Sequence, residues 1–239
     1  FRAGRDVGAG PGTRAAAGRL LGGAHWSTVG APAPYAGNGS AMRAGPIGVL
    51  FAADHHMLVR VAREQSRITH LDPRCAAGAV AVAHAVALAR EPGAVDPSAF
   101  LARLGESVER EDGSVAAAVR GLADWLLMPP VAAARHLQAC GLEPASRGQW
   151  QGISAFVTSS VVWSLYAFLR SPDDYWESVC TAIGVGGDTD TMAAMTGAMA
   201  GARLGPEALP APLLERLTDR GHWGAVALEG LARACARIA

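Results

Sequence analysis

The sequence predicts an all-α fold on three observations: repeated helix-start signatures, long Ala-rich stretches at helical spacing, and no alternating strand patterns joined by hairpin turns. In Asp72-Pro73, Asp96-Pro97 and Ser171-Pro172 a capping side chain precedes Pro. The capping oxygen accepts from free N–H groups of the first turn. Pro has no N–H to leave unpaired there, and its φ already suits a helix.

These starts open predicted helices over 74–90, 98–110 and 173–183, the last with acidic residues in its first turn, where the helix dipole favours them. Periodicity adds helices over 53–67, 114–127, 131–139, 153–169, 191–204, 206–218 and 225–238. The first fifty residues are rich in Gly and Pro, and short helices over 13–21 and 41–51 interrupt them. No linker divides the chain, so one domain over 1–239 is expected.

The 239 residues carry 21 basic and 21 acidic side chains. Every basic residue is Arg. Zero net charge argues against a general nucleic-acid or membrane-surface binder, which needs a positive field. Cys75, Cys140, Cys180 and Cys235 are far apart and form no CxxC pair. Packed, reduced thiols in a cytoplasmic protein are therefore expected. No charge occurs between Arg147 and Arg170, a stretch long enough to cross a bilayer. Gln149, Gln151, Ser154, Thr158, Ser159, Ser160 and Ser164 are spread through it, so a buried helix of a soluble protein is the better reading.

The most informative segment is Gly186-Gly187-Asp188-Thr189-Asp190-Thr191, followed by a helix of small residues. Carboxylates at i and i+2 in a non-helical segment reach the same side, and Thr191 adds a hydroxyl. Such hard oxygens suit Mg²⁺ or Mn²⁺. The competing reading is that Asp188, Thr189 or Asp190 only caps the next helix. In Gly37-Asn38-Gly39-Ser40-Ala41-Met42-Arg43 the Asn between glycines marks a tight turn, whose backbone N–H groups can hold an anion. His70, in Thr69-His70-Leu71-Asp72, sits between two predicted helices; it can donate to a phosphate or ribose oxygen, the competing reading being a packed or surface residue.

Other motifs are set aside. Gly8 to Arg14 lacks the Gly-Lys-Ser/Thr ending of a phosphate loop. His55-His56 and the acidic group Glu106, Glu109, Glu111 and Asp112 read as solvated surface.

In this order, the Asn38 turn with Pro46 after it, Thr69-His70, and Gly186 to Thr191 with Gly197, Gly201 and Gly205 after it, the sequence resembles the ADP-ribosylglycohydrolase family. Gly10-Pro11-Gly12-Thr13 adds to the likeness, which covers nearly the whole chain. The resemblance implies a compact orthogonal bundle of many helices around a cleft with two Mg²⁺ ions, Mn²⁺ being an alternative. It implies hydrolysis of the glycosidic bond between ADP-ribose and a protein side chain or small molecule. By the same resemblance Asp188, Asp190 and Thr191 are metal ligands. Gly37, Asn38, Gly39, Met42, His70, Gly186 and Gly187 line the ADP-ribose site. The partner is then an ADP-ribosylated protein or conjugate, with no nucleic acid or membrane. The family pattern also has a further N-terminal helical region with a Thr-Asp-Asp metal motif. No Thr-Asp-Asp occurs here, so an N-terminally incomplete member with about half of the metal site is expected. The alternative is an inactive member that binds ADP-ribose or serves as a structural module.

Overall fold

Two helices have almost no polar face, and the rest of the fold forms around them. In the computed structural model, which describes residues 9–142, 150–219 and 221–237, these are α4 (Pro73–Ala89) and α8 (Val157–Arg170). Every residue of α8 from Val157 to Leu169 is buried. In α4, 12 of 17 residues are buried. This is the buried helix expected from the uncharged stretch, whose first residues, 147–149, lie outside those described. No helix among the described residues is long and apolar enough to cross a membrane. In α8, Ser164 Oγ donates to Ser160 O at 2.9 Å and Trp163 Nε1 to Ala182 O at 2.9 Å, while the buried Thr158 Oγ1 has no partner among the described residues.

Around this pair pack α2 (Gly45–Leu50), α3 (His55–Arg67), α5 (Pro97–Glu109), α6 (Gly113–Gly121), α9 (Tyr175–Ile183) and α10 (Thr189–Leu204). α7 (Pro130–Leu137) also packs on α8, and beyond these lie α1 (Pro11–Leu21), α11 (Ala211–Arg216) and α12 (Ala225–Cys235). The all-α expectation holds: the structure is 64% helical and has no sheet among the described residues. Small residues set how close the helices come. A Cβ on Gly48 would lie 2.1 Å from Ala83 O, and one on Gly45 2.8 Å from Ala198 Cβ. The α2 backbone is thus wedged between α4 and α10.

The Asp-Pro starts behave as expected: Asp72 accepts from Arg74 N, and Asp96 from Ser98 N and Ala99 N. Ser171 does not start α9. It ends α8, and the cap is Asp174, which accepts from Glu177 N at 2.9 Å. The helix expected over 206–218 is broken into a 3₁₀ turn, Pro206–Ala208, and α11. Pro210 pushes Leu209 into extended backbone, with ψ of 134°. The helix expected from 153 starts at Val157, because Ile153 and Ala155 give their backbone groups to other loops. The acidic group is not all solvated. The Glu111 side chain is only 9% exposed and pairs with Arg63, and Asp112 caps α6. None of the four cysteines is in a disulfide, and Cys75 is buried.

The tight α2–α4 crossing gives a direct test. Gly48→Ala forces its new methyl into the Ala83 carbonyl and is expected to lower unfolding stability by about 1–3 kcal/mol, read as a lower urea midpoint with unchanged slope. A midpoint equal to wild type would show that the two helices can move apart freely.

Candidate functional site

The helices α4, α8 and α10 each begin where a loop ends, and three backbone bridges tie those loops together. Ala31 pairs with His70, Gly37 with Phe156, and Ile153 with Gly187. Their bonds are short: Leu71 N donates to Ala31 O at 2.7 Å, Asn38 N to Ala155 O at 3.0 Å, and Asp188 N to Ile153 O at 2.8 Å. One place therefore gathers Gly37 and Asn38, His70, residues 153–156, and Gly187 and Asp188. The positive ends of three helix dipoles point toward it.

Gly187 has φ of 95°, and a Cβ there would lie 2.0 Å from Ile153 O. Only Gly can follow Gly186 at this point and keep the bridge.

Asn38 is 5% exposed and is held from both sides. Its backbone carbonyl accepts from Ala41 N and Met42 N in the 3₁₀ turn Asn38–Ser40. Its side-chain amide donates to Ser160 Oγ at 3.2 Å and to Asp188 Oδ2 at 2.6 Å. The last bond joins two motifs 150 residues apart. It also answers the capping reading: Asp188 occupies the cap position of α10, yet its side chain makes no capping bond.

Asp190 and Thr191 are not in an extended segment, as the sequence suggested. Thr189 already begins α10, so both lie in its first turn, and the alternation argued for i and i+2 does not apply. Asp190 is exposed and its Oδ1 accepts from Thr191 N at 2.9 Å. Thr191 is 8% exposed, and its hydroxyl meets Met42 Sδ at 3.9 Å, a weak acceptor.

The segment supplies hard oxygens of the kind Mg²⁺ prefers, and the weakly engaged Thr191 hydroxyl fits that role. Among the described residues, however, no three His, Cys, Asp or Glu side chains come together in a metal-holding group. The donor types fit one cation with several waters, not two closed shells.

His70 is 4% exposed and stacks on Tyr35, with ring centroids 5.9 Å apart. Burial, with the Arg43 guanidinium adding to it, pushes the imidazole down to about 4 against the opposing pull of Asp72. Burial would raise the Asp72 carboxyl, but Arg74 outweighs it and holds Asp72 below the usual carboxylate range. Burial pushes the Cys75 thiol up to about 12, and its S–H donates to Gly37 O at 3.2 Å. Gly37 and Gly39 face the His70 ring: a Cβ on either would lie within about 3.1–3.2 Å of it. A cavity of about 300 Å³ adjoins Gly37, with Tyr35, Trp150 and Phe156 among its walls. A larger cavity of about 760 Å³ lies elsewhere, against α3, α4 and α5.

The structure thus brings Gly37, Asn38, Gly39, Met42, His70, Gly187, Asp188 and Thr191 together around one set of loops. Sequence reading missed the parts of Ser160, Tyr35, Phe156 and Arg43. Ser160 carries no local signal; it looks like any small polar residue in a buried helix.

The model of the ADP-ribosylglycohydrolase family matches residues 1–238. An uncharacterized protein of Archaeoglobus fulgidus is 30% identical over 211 residues, covering 88% of this chain and 62% of that protein. ADP-ribosylhydrolase ARH3 of Gallus gallus is 31% identical over 191 residues, covering 73% of this chain and 51% of the relative. The Mus musculus ADP-ribosylhydrolase ARH3 is also 31% identical, with 50% of its length matched. The chain therefore spans about half to three-fifths of the length of these relatives. Among solved structures, an ADP-ribosylglycohydrolase-related protein complex superimposes with a TM-score of 0.67 at 28% identity, covering 95% of this chain and 69% of the other.

Two outcomes follow from the geometry. Asn38→Ala leaves Asp188 and Ser160 without their shared donor and is expected to cost about 1–3 kcal/mol, read as a drop in melting temperature. The second concerns pH. The folded value of His70, about 4, lies below its ordinary 6.5, so between these values only the unfolded chain takes up the proton. Stability then falls as pH drops through that window and flattens below it. His70 alone is expected to remove about 2 kcal/mol between pH 7 and pH 5, measured by urea unfolding. His84, pushed down to about 4 chiefly by burial, adds to the slope, and His84→Gln should reduce it. A pH-independent unfolding free energy over this range would contradict both.

Proposed function

The chain belongs to the ADP-ribosylglycohydrolase family, and on that premise we propose that its loop cluster binds ADP-ribose and hydrolyses the glycosidic bond joining it to a protein side chain or small molecule. The observation that carries this reading is the Asn38 amide, clamped to Asp188 across 150 residues, beside a neutral buried His70. That clamp rigidly joins an anion-suited side of the site to a carboxylate side.

Each part has a task that its chemistry suits. The turn around Gly37, Asn38 and Gly39 and the Gly186 and Gly187 backbone let an ADP-ribose unit approach closely, with the helix dipoles favouring its diphosphate. His70 donates to a ribose or phosphate oxygen. The aromatic walls Tyr35, Trp150 and Phe156 suit a flat adenine ring in the adjoining cavity. Met42 is 46% exposed and touches Thr191, so it borders the carboxylate side. Cleavage at the anomeric carbon passes through an oxocarbenium-like state, and the Asp188 and Asp190 carboxylates stabilise that positive charge. Mg²⁺ or Mn²⁺ would be held by Asp188, Asp190 and Thr191 and, when bound, would supply Lewis-acid chemistry to ribose hydroxyls and water.

A second reading, ADP-ribose binding without turnover, is favoured by one observation: no three potential ligands gather among the described residues. The two are separated by incubating the chain and Mg²⁺ with an ADP-ribosylated peptide and measuring released ADP-ribose. Turnover is expected, and Asp190→Ala should reduce it by at least about 100-fold. Heat on titration with ADP-ribose but no release would select the binding reading. Neither heat nor release from a folded sample would defeat both.

A further inference from the structure

His70 is connected to a chain of donors that the functional reading does not use. Arg43 makes four hydrogen bonds in this region. Its Nε donates to Gln65 Oε1 at 2.6 Å and its Nη1 to Gly39 O at 2.9 Å. Its Nη2 donates to Gln65 O at 2.9 Å and to Thr69 Oγ1 at 2.8 Å. Thr69 Oγ1 in turn lies 2.8 Å from His70 Nδ1. A guanidinium donates only, so the Thr69 oxygen accepts from Arg43.

Two arrangements remain for the Thr69–His70 contact. If Nδ1 carried the ring proton, Thr69 would accept twice. Its own hydroxyl proton would then need another acceptor, and among the described residues Thr69 Oγ1 has no partner beyond Arg43 and His70. Thr69 is only 8% exposed, so that proton would go largely unpaired. In the other arrangement Thr69 O–H donates to Nδ1 and every group is satisfied. The Arg43 charge on the Thr69 oxygen polarises the O–H and strengthens this donation.

We infer that Arg43 and Thr69 are positioning residues that fix His70 as the tautomer with its proton on Nε2, turning the ring into a neutral N–H donor toward an acceptor oxygen of the ligand. Among the described residues Nε2 makes no hydrogen bond, and it is not one of the fully buried partnerless atoms, so it keeps some contact with solvent. The side it faces is kept clear by Gly37, where a Cβ would lie 3.1 Å from Nε2. The other groups around the ring preserve the neutral form. Tyr35 stacks on its face, Asp72 is occupied by Arg74 through bonds of 2.7 and 2.9 Å, and Cys75 keeps its proton and donates it to Gly37 O. A protonated ring would present N–H to Thr69 and break the relay from Arg43.

The tautomer follows from hydrogen bonds alone. Its use on a phosphate or ribose oxygen rests on the ADP-ribose reading above, and the test separates the two. Long-range ¹H–¹⁵N spectra of the ¹⁵N-labelled full chain at pH 7 should show His70 with a bare Nδ1 and a protonated Nε2. Thr69→Val should return the ring toward the tautomer mixture of a free imidazole and weaken ADP-ribose binding by about tenfold. Thr69→Ser, which keeps the hydroxyl, should restore both. A wild-type ring protonated on Nδ1, or charged at pH 7, overturns the inference. So does a Thr69→Val spectrum identical to wild type. If the spectra follow expectation while ADP-ribose perturbs neither His70 nitrogen, the relay stands and the ADP-ribose reading fails.

Discussion

Backbone that leaves a helix inside a protein must find partners for its N–H and C=O groups, and this constraint organises the whole structure. Here the segments before α4, α8 and α10 pair their backbone with other loops. With no sheet among the described residues to absorb them, they pair through single bridges: 31 with 70, 37 with 156, and 153 with 187. Each bridge satisfies only one or two bonds, but each joins segments far apart in sequence. The helices that follow inherit their starting points from these pairings. Losing one bridge would strand buried polar groups at a cost of about 1–3 kcal/mol each, so the pairings hold as a set.

The second condition is steric. Loops can converge only if the helices behind them approach closely. Ala-rich α4, fully buried α8 and small-residue α10 make this possible, with Gly45 and Gly48 letting α2 wedge between them. The small residues that look like bland composition in the sequence are therefore a requirement of the cleft. Several polar groups find partners on other elements of the site, as with Asn38 Nδ2 to Ser160 Oγ and Ser40 Oγ to Cys75 O.

What the sequence made legible was local or compositional. A capping side chain followed by Pro needs only its neighbours, so the starts at Asp72 and Asp96 were correct. The uncharged stretch before Arg170 announced a buried helix by composition. The Gly-rich turn and the Asp-Thr-Asp segment could be singled out because their residue types are unusual together. What failed depended on distant partners or on competition between neighbours. Nothing near Asp188 indicates that its carboxylate turns to Asn38 and leaves the helix end uncapped. Residues 153–156 have helical composition but are drawn out to bridge two loops. Ser171 and Asp174 compete for the same helix start, and the carboxylate, sitting next to the helix, wins. Glu111 reads as surface until Arg63, 48 residues away, folds over it.

The charge distribution around the loops also limits how a polyanionic ligand can sit there. The Asp188 carboxylate stands on one side of the loops, bonded to Asn38, and a diphosphate placed against it with no cation bound would meet like charge. On the other side the groups offered are neutral donors: the His70 ring, backbone N–H groups and the starts of buried helices. The Arg43 and Arg74 side chains lie by these loops: Arg43 bonds Gln65, Gly39 and Thr69, and Arg74, over the Phe156 ring, is paired with Asp72. On the proposed function, an ADP-ribose unit places its diphosphate toward the neutral donors and its reactive ribose toward the carboxylates. A positive charge developing at the anomeric carbon then arises next to Asp188 and Asp190, where it is stabilised. A fixed neutral donor serves this arrangement better than a charged one. It holds an oxygen by direction, adds no positive field that would disfavour the cationic transition state, and does not change with small shifts in pH.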